Sequence, residues 1–173
     1  ALFAELVPQY FAPEEFAIVT GEADVGAAFS ALPFDHVIFT GATGVGRHIM
    51  RAASANLTPV TLELGGKSPV IVGQSADLGT VARKVAMGKL MNAGQICLAP
   101  DYVLIDAARE DALVRELGAA ASAMYPTMLD NPDYTAIVND RHHARLSSYL
   151  DDARAKGAEV VTVNPAGEEF GAA

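Results

Sequence analysis

The apolar spacing changes from a period of two to the helical 3.6 across Gly41, and this switch constrains the fold more than any other feature. His36–Thr40 reads as a strand, and Val45, Ile49, Ala52 and Ala53 then repeat at helical spacing. Val60–Leu64 is strand-like again. The pattern continues downstream. Pro69–Val72, Tyr102–Ile105 and Glu159–Val163 read as strands, as does Phe16–Thr20 near the start. Helical spacing links Leu78, Val81, Ala82 and Val85 behind Asp77, a candidate N-cap. It links Leu113, Leu117, Ala120, Ala121 and Met124 behind Asp106, a second candidate cap. Leu146, Tyr149, Leu150 and Ala153 form a last helix with Gly157 as its stop. Strands interleaved with helices of roughly 10–15 residues specify βαβ units and a mostly parallel sheet, an α/β fold. No internal repeat is visible.

With 173 residues, 51% of them apolar and 19% charged, the chain has material for a real core. A net charge of −9 argues against nucleic acid and against an anionic membrane surface as partners. No apolar run approaches the roughly 20 residues of a spanning helix. One cysteine cannot make an intrachain disulfide, so the expected compartment is a reducing cytoplasm. The start, without methionine and in mid-helix at Leu2, Phe3, Leu6 and Val7, and the turn-rich end after Pro165 are expected of an internal fragment of a longer protein.

Three segments carry chemistry. Gly41-Ala42-Thr43-Gly44-Val45-Gly46 has the order G-x-x-G-x-G and joins a strand to a helix. A helix N-terminus there offers free N–H groups and a positive dipole to a phosphate, although a tight turn without ligand has the same appearance. Arg47 adds charge to the same end or is simply solvated. Glu63 alternates with the apolar Val60, Leu62 and Leu64 at a strand end, where it is either solvated or partly buried as a general base. Cys97 lies 34 residues further on, behind the turn-forming Asn92-Ala93-Gly94-Gln95. A cysteine after a loop is accessible and has backbone N–H groups nearby to hold an oxyanion; the alternative is a buried, inert thiol. Nucleophile, base and anion-binding turn together suggest covalent catalysis beside a phosphate-bearing cofactor. A seam at Gly65-Gly66 divides the chain into residues 1–65 and 66–173.

Other candidates are weaker. His142 and His143 are adjacent and point about 100° apart on a helix, and no His/Cys/Asp cluster has metal-ligand spacing, so no metal is expected. Lys67 reads as a structural cation on a loop between strands, and Asp151–Arg154 as an exposed helix face.

Together the segments resemble the aldehyde dehydrogenase superfamily. Phe39–Arg47 is similar to its F-T-G-S-T-x-V-G turn, Leu62–Pro69 to its L-E-L-G-G-K-S-P signature, and Asn92–Cys97 to its G-Q-x-C signature. Cys97–Tyr102 and Tyr125-Pro126-Thr127 are most similar to the class 3 and coniferyl aldehyde dehydrogenase branch. The resemblance implies that residues 1–65 end a Rossmann-like NAD(P)-binding domain and that 66–173 are part of the catalytic domain. It implies an aldehyde substrate, aromatic if the coniferyl branch holds, and NAD or NADP as cofactor. It further implies Cys97 as nucleophile, Glu63 as base, Gly41, Ala42, Thr43 and Gly46 at the pyrophosphate, and Leu64 and Gly65 beside the nicotinamide. A homodimeric or homotetrameric parent follows from the same resemblance.

Ala42 departs from the family serine and removes one hydroxyl, leaving the backbone N–H groups. The P-W-N-F, K-P-x-E and E-E-I-F-G-P segments of the family are absent, and Glu168-Glu169-Phe170-Gly171 only superficially echoes the last. The isolated fragment is therefore expected to be inactive. Two rival readings are a CoA-acylating relative and a non-catalytic α/β binding module.

Overall fold

The computed structural model describes residues 2–170. The chain forms two compact units, Ala1–Gly65 and Gly66–Ala173. Each contains one pair of parallel strands joined by a helical crossover, so the fold is α/β.

In the first unit, α1 (Leu2–Leu6) and α2 (Ala23–Ser30) precede β1 (Val37–Gly41), α3 (Thr43–Ser54) and β2 (Val60–Leu64). Strands β1 and β2 pair in parallel from Val37↔Val60 to Gly41↔Leu64. Parallel strands cannot be joined by a tight turn, so α3 supplies the crossover. It packs through Gly46 and Ala53, both buried, with Gly46 against Leu64. The return to β2 is tied to the segment before β1, where Asn56 donates to the Ala31 carbonyl at 2.8 Å and Thr58 Oγ1 to the Phe34 carbonyl at 2.9 Å. Both strands alternate between half-buried and exposed residues, the pattern of a pair covered on one face.

In the second unit, β3 (Ser68–Ile71), α4 (Leu78–Leu90) and β4 (Pro100–Leu104) repeat this arrangement, followed by α5 (Glu110–Met124) and α6 (Asp140–Ala155). Strands β3 and β4 are parallel, with a register shift after Ser68, where Pro69 pairs with Tyr102 and Asp101 is the extra residue. A proline at a strand start costs little, because its missing N–H falls where the ladder is already irregular. The core is built from Val72, Ala82 and Leu113, flanked by Val70, Val81, Val103 and Leu117. Alanine on α4 lets α5 approach closely, and burying a leucine such as Leu113 contributes about 1.5–3 kcal/mol. Arg109 fixes the β3–α4 loop by donating to the carbonyls of Gly73 at 2.8 Å, Gln74 at 2.9 Å and Ala76 at 2.5 Å.

Several sequence expectations need correction. Phe16–Thr20 and Glu159–Val163 carry no regular secondary structure and join no ladder. A strand requires a neighbour for its N–H and C=O groups. Glu159–Val163 instead uses side chains, with Val161 and Val163 lining a groove beside Leu117 and Ala121 of α5. Asp106 caps the short turn Ala107–Arg109 by accepting from Ala108 N at 2.9 Å, rather than capping α5 directly. The apolar stripe of α6 is exposed at Leu146, Tyr149 and Leu150. That helix starts at a cap absent from the sequence reading, Asn139, whose side chain accepts from His142 N at 3.0 Å. Gly157 does end it, with φ +83°. Among the described residues, no helix is long and apolar enough to cross a membrane.

Asp77 caps α4 by accepting from Thr80 N at 2.8 Å. Hydrogen bonding from Thr80, through its side chain and then its backbone N–H, holds this carboxyl below the usual carboxylate range. Slight desolvation opposes the shift and Arg83 adds to it. A carboxyl lowered in the folded state contributes stability above its unfolded value of about pH 4, which is lost as pH falls through the lower folded value. Asp77→Asn keeps an acceptor but cannot titrate. The difference in urea midpoint between the two proteins should therefore shrink or invert as pH falls from about 5 to about 2. A difference independent of pH would show that the charge of Asp77 is irrelevant to the cap.

Candidate active site

In the first unit, the candidate residues lie at the carboxyl edge of the β1–β2 pair. Strand β1 ends at Gly41, Ala42 has extended dihedrals (φ −71°, ψ 142°), and α3 begins at Thr43. The helix thus starts two residues before Val45, the first apolar position of its repeat. Ala42 stands in the N-cap position and provides no side-chain acceptor. The first-turn amides of α3 are therefore left for another acceptor, and they are the groups a phosphate would use. The turn fits such a group: Ala42, Thr43 and Gly44 are exposed, and the space around Gly44 is open. Arg47 is exposed on the same first turns.

Glu63 is the register partner of Thr40 and lies one position before Leu64, which pairs with Gly41. Its side chain belongs to the exposed set of β2, while Leu62 and Leu64 are half-buried on the opposite face. Of the two sequence readings, the structure shows the exposed carboxylate in this unit. The fold brings Glu63, Leu64 and Gly65 to the same edge as Gly41, Ala42, Thr43 and Gly46.

The second unit carries the candidate cysteine. Cys97 is a free, exposed cysteine in a turn between α4 and β4. The thiol is therefore not buried in this unit. The turn sits before the first residue of β4, hence at the amino edge of the β3–β4 pair. The chain leaves α4 through three successive left-handed residues, Asn92 (φ 52°), Ala93 (φ 53°) and Gly94 (φ 73°). Alanine in this region costs on the order of 1–2 kcal/mol, so surrounding contacts must hold it. Gly94 has a second reason to lack a side chain, since a Cβ there would lie 3.0 Å from the Lys89 carbonyl oxygen.

Two neighbours fix the turn. Gly66 approaches so closely that a Cβ on it would collide with the Cys97 carbonyl oxygen. The Gln95 carboxamide reaches the irregular segment before α6, donating to the Ala136 carbonyl at 3.1 Å and accepting from Val138 N at 3.0 Å. Sequence reasoning missed both contacts. A polar residue inside a turn was the only signal for Gln95, and nothing in the sequence pointed to a segment more than 40 positions later. Lys67 pairs with Asp101 at 2.5 Å, joining the starts of β3 and β4. Its side chain is 80% exposed, so the pair adds at most about 1 kcal/mol. Among the described residues, no group of three His, Cys, Asp or Glu side chains could hold a metal ion.

The first unit carries an anion-receptive turn and a carboxylate at one strand edge, and the second carries an exposed thiol on a turn. The family model described as aldehyde dehydrogenase family matches residues 1–172, and the chain belongs to that family. It is 60% identical over 171 residues to the coniferyl aldehyde dehydrogenase of Pseudomonas sp. (strain HR199 / DSM 7063), covering 99% of this chain and 36% of that protein. The fold matches the substrate-bound state of Staphylococcus aureus AldH with a TM-score of 0.82 and 38% identity, over 89% of this chain and 34% of the other. It matches Mycobacterium tuberculosis aldehyde dehydrogenase complexed with NAD+ with a TM-score of 0.71 and 30% identity, over 82% and 30% of the two chains. The chain thus spans about a third of the length of the relatives it matches.

The Gly66 contact generates a direct test. Gly66→Ala puts a methyl group against a backbone oxygen, which cannot move without shifting the turn. It should destabilise the protein by about 1–3 kcal/mol and change the rate of Cys97 alkylation by iodoacetamide several-fold. Gly73→Ala, where a Cβ meets nothing within 4 Å, should leave that rate unchanged. Equal alkylation rates in all three proteins would show that Gly66 does not set the position of the thiol.

Proposed function

We propose that this chain is the segment of an NAD(P)-dependent aldehyde dehydrogenase that carries the nucleophile and the general base. The observation that carries the proposal is Cys97, the sole thiol, held exposed on a braced turn in a chain belonging to this family. Residues 1–65 are the end of the coenzyme domain and 66–173 part of the catalytic domain. The amides of Thr43 and Gly44 at the α3 N-terminus would hold the pyrophosphate together with Gly41, Ala42 and Gly46, and Leu64 and Gly65 would border the nicotinamide. When bound, NAD or NADP supplies the hydride acceptor.

The Cys97 thiolate adds to the aldehyde carbonyl carbon, forming a C–S bond and a thiohemiacetal oxyanion. The Cys97 backbone N–H donates to that oxyanion. Loss of hydride from the same carbon leaves a thioester on Cys97. Glu63 takes a proton from water, which attacks the thioester; the C–S bond breaks, releasing the carboxylic acid and the thiol. An aromatic aldehyde of the coniferyl kind is the proposed substrate, supported by the 60% identity to the Pseudomonas enzyme. The family resemblance supports a homodimeric or homotetrameric parent. A lone cysteine without a disulfide partner supports a cytoplasmic one.

In the full-length parent, Cys97→Ala should lower turnover by several orders of magnitude, because the covalent route is lost. Near-normal activity in that variant would refute the assignment.

Glu63→Gln should separate the two half-reactions. Formation of the thioester should proceed, giving a burst of about one equivalent of reduced cofactor per site before a depressed steady state. A slowed burst would instead make Glu63 the base that deprotonates Cys97. Unchanged steady-state hydrolysis would reduce it to a solvated carboxylate. Strong rescue by added CoA would favour a CoA-acylating enzyme over a hydrolytic one.

A further inference from the structure

We propose that Gln95 is the positioning residue of the Cys97 turn, and that its anchor is the irregular segment Ala136–Val138 before α6. The inference rests on the nucleophilic role of Cys97 given above. The carboxamide of Gln95 is half-buried and uses both ends. Nε2 donates to the Asn92 carbonyl at 3.0 Å and to the Ala136 carbonyl at 3.1 Å, while Oε1 accepts from Val138 N at 3.0 Å. The Asn92 side chain closes the loop by donating to the Gln95 carbonyl at 3.3 Å.

One side chain therefore bonds the left-handed turn to itself and to a segment 41–43 residues away. The chemistry is demanding. The site needs two donors and one acceptor at glutamine's reach, and a primary amide supplies two donor hydrogens together with an acceptor oxygen. Glutamate keeps the acceptor for Val138 N but presents oxygen to two carbonyls. Methionine keeps the length and loses every bond.

The position of the clamp gives it a catalytic consequence. Gln95 precedes Cys97 by two residues, and the cysteine side chain is exposed rather than packed into a core that could orient it. Its location is thus inherited from the backbone that Gln95 and Gly66 hold. Gly66 restricts the carbonyl side of Cys97, and Gln95 restricts the approach from α4. Because Ala93 is held at φ 53° without a glycine's freedom, release of the clamp lets the turn relax towards ordinary dihedrals. The thiol then moves, although no bond to it has been cut.

The test compares Gln95→Met, Gln95→Glu and Cys97→Ala with wild type in the full-length parent. The readouts are the rate of the reduced-cofactor burst, its amplitude per alkylatable site, the coenzyme Kd and the Tm. Misplacement by about 1 Å costs on the order of 100-fold in rate, so the burst rate of both Gln95 variants should fall by about 10–100-fold. Their coenzyme Kd should stay within about twofold, and their burst amplitude should remain near one per site. A purely structural role predicts the opposite, a lower amplitude or Tm with an unchanged rate in the surviving sites, and would overturn the proposal. Failure of both variants to fold would overturn it equally, since the clamp would then serve the fold as a whole. A wild-type burst in Cys97→Ala would remove the nucleophile reading on which the inference rests. A wild-type burst in the Gln95 variants alone would remove only the inference.

Discussion

Parallel pairing is the constraint on which the rest of this structure depends. Two parallel strands cannot share a short hairpin, so β1–β2 and β3–β4 each need a helix and two connecting segments. Those connections are where backbone polar groups are left without ladder partners, and where side chains reach solvent. Both candidate sites occupy them. The Gly41–Gly46 turn opens the crossover of one unit, and the Cys97 turn closes the crossover of the other. The two candidate turns therefore lie where the topology obliges the chain to be irregular, whereas Glu63 sits within β2.

The two turns are stabilised differently, in keeping with their proposed tasks. The first has no side-chain cap, since Ala42 supplies none, and its first-turn amides stay open for an anion. The second is over-determined. Gly66, Gly94, Asn92 and Gln95 all restrict it, and together they offset the cost of left-handed Ala93. A turn that receives a ligand can leave its polar groups unclaimed. A turn that presents a nucleophile must hold its geometry before the substrate arrives.

The strand faces carry a further physical feature. Ile38 is 72% exposed and Ile71 is 77% exposed, although parallel sheets ordinarily bury both faces. Glu63 shares the open face of its pair with Ile38 and Thr40.

Much of the architecture was legible in the sequence, because helical and strand periods are local properties. The four paired strands fall within a residue or two of their expected places, and α3 to α6 follow the apolar repeats. Asp77 and Gly157 act as the cap and stop that their types suggest, since each works through its own neighbouring backbone. What failed depended on distant partners. Phe16–Thr20 and Glu159–Val163 have the composition of strands but no neighbour to pair with, and α6 keeps its apolar stripe exposed for want of a surface to cover. The candidate residues Cys97 and Glu63 could be read from residue type and setting. Their exposure, the Gly66 contact and the reach of Gln95 to Ala136 and Val138 were decided by tertiary structure alone. A periodic pattern reports which face of an element is apolar, whereas a hydrogen bond across 41 residues exists only once folding has brought its two ends together.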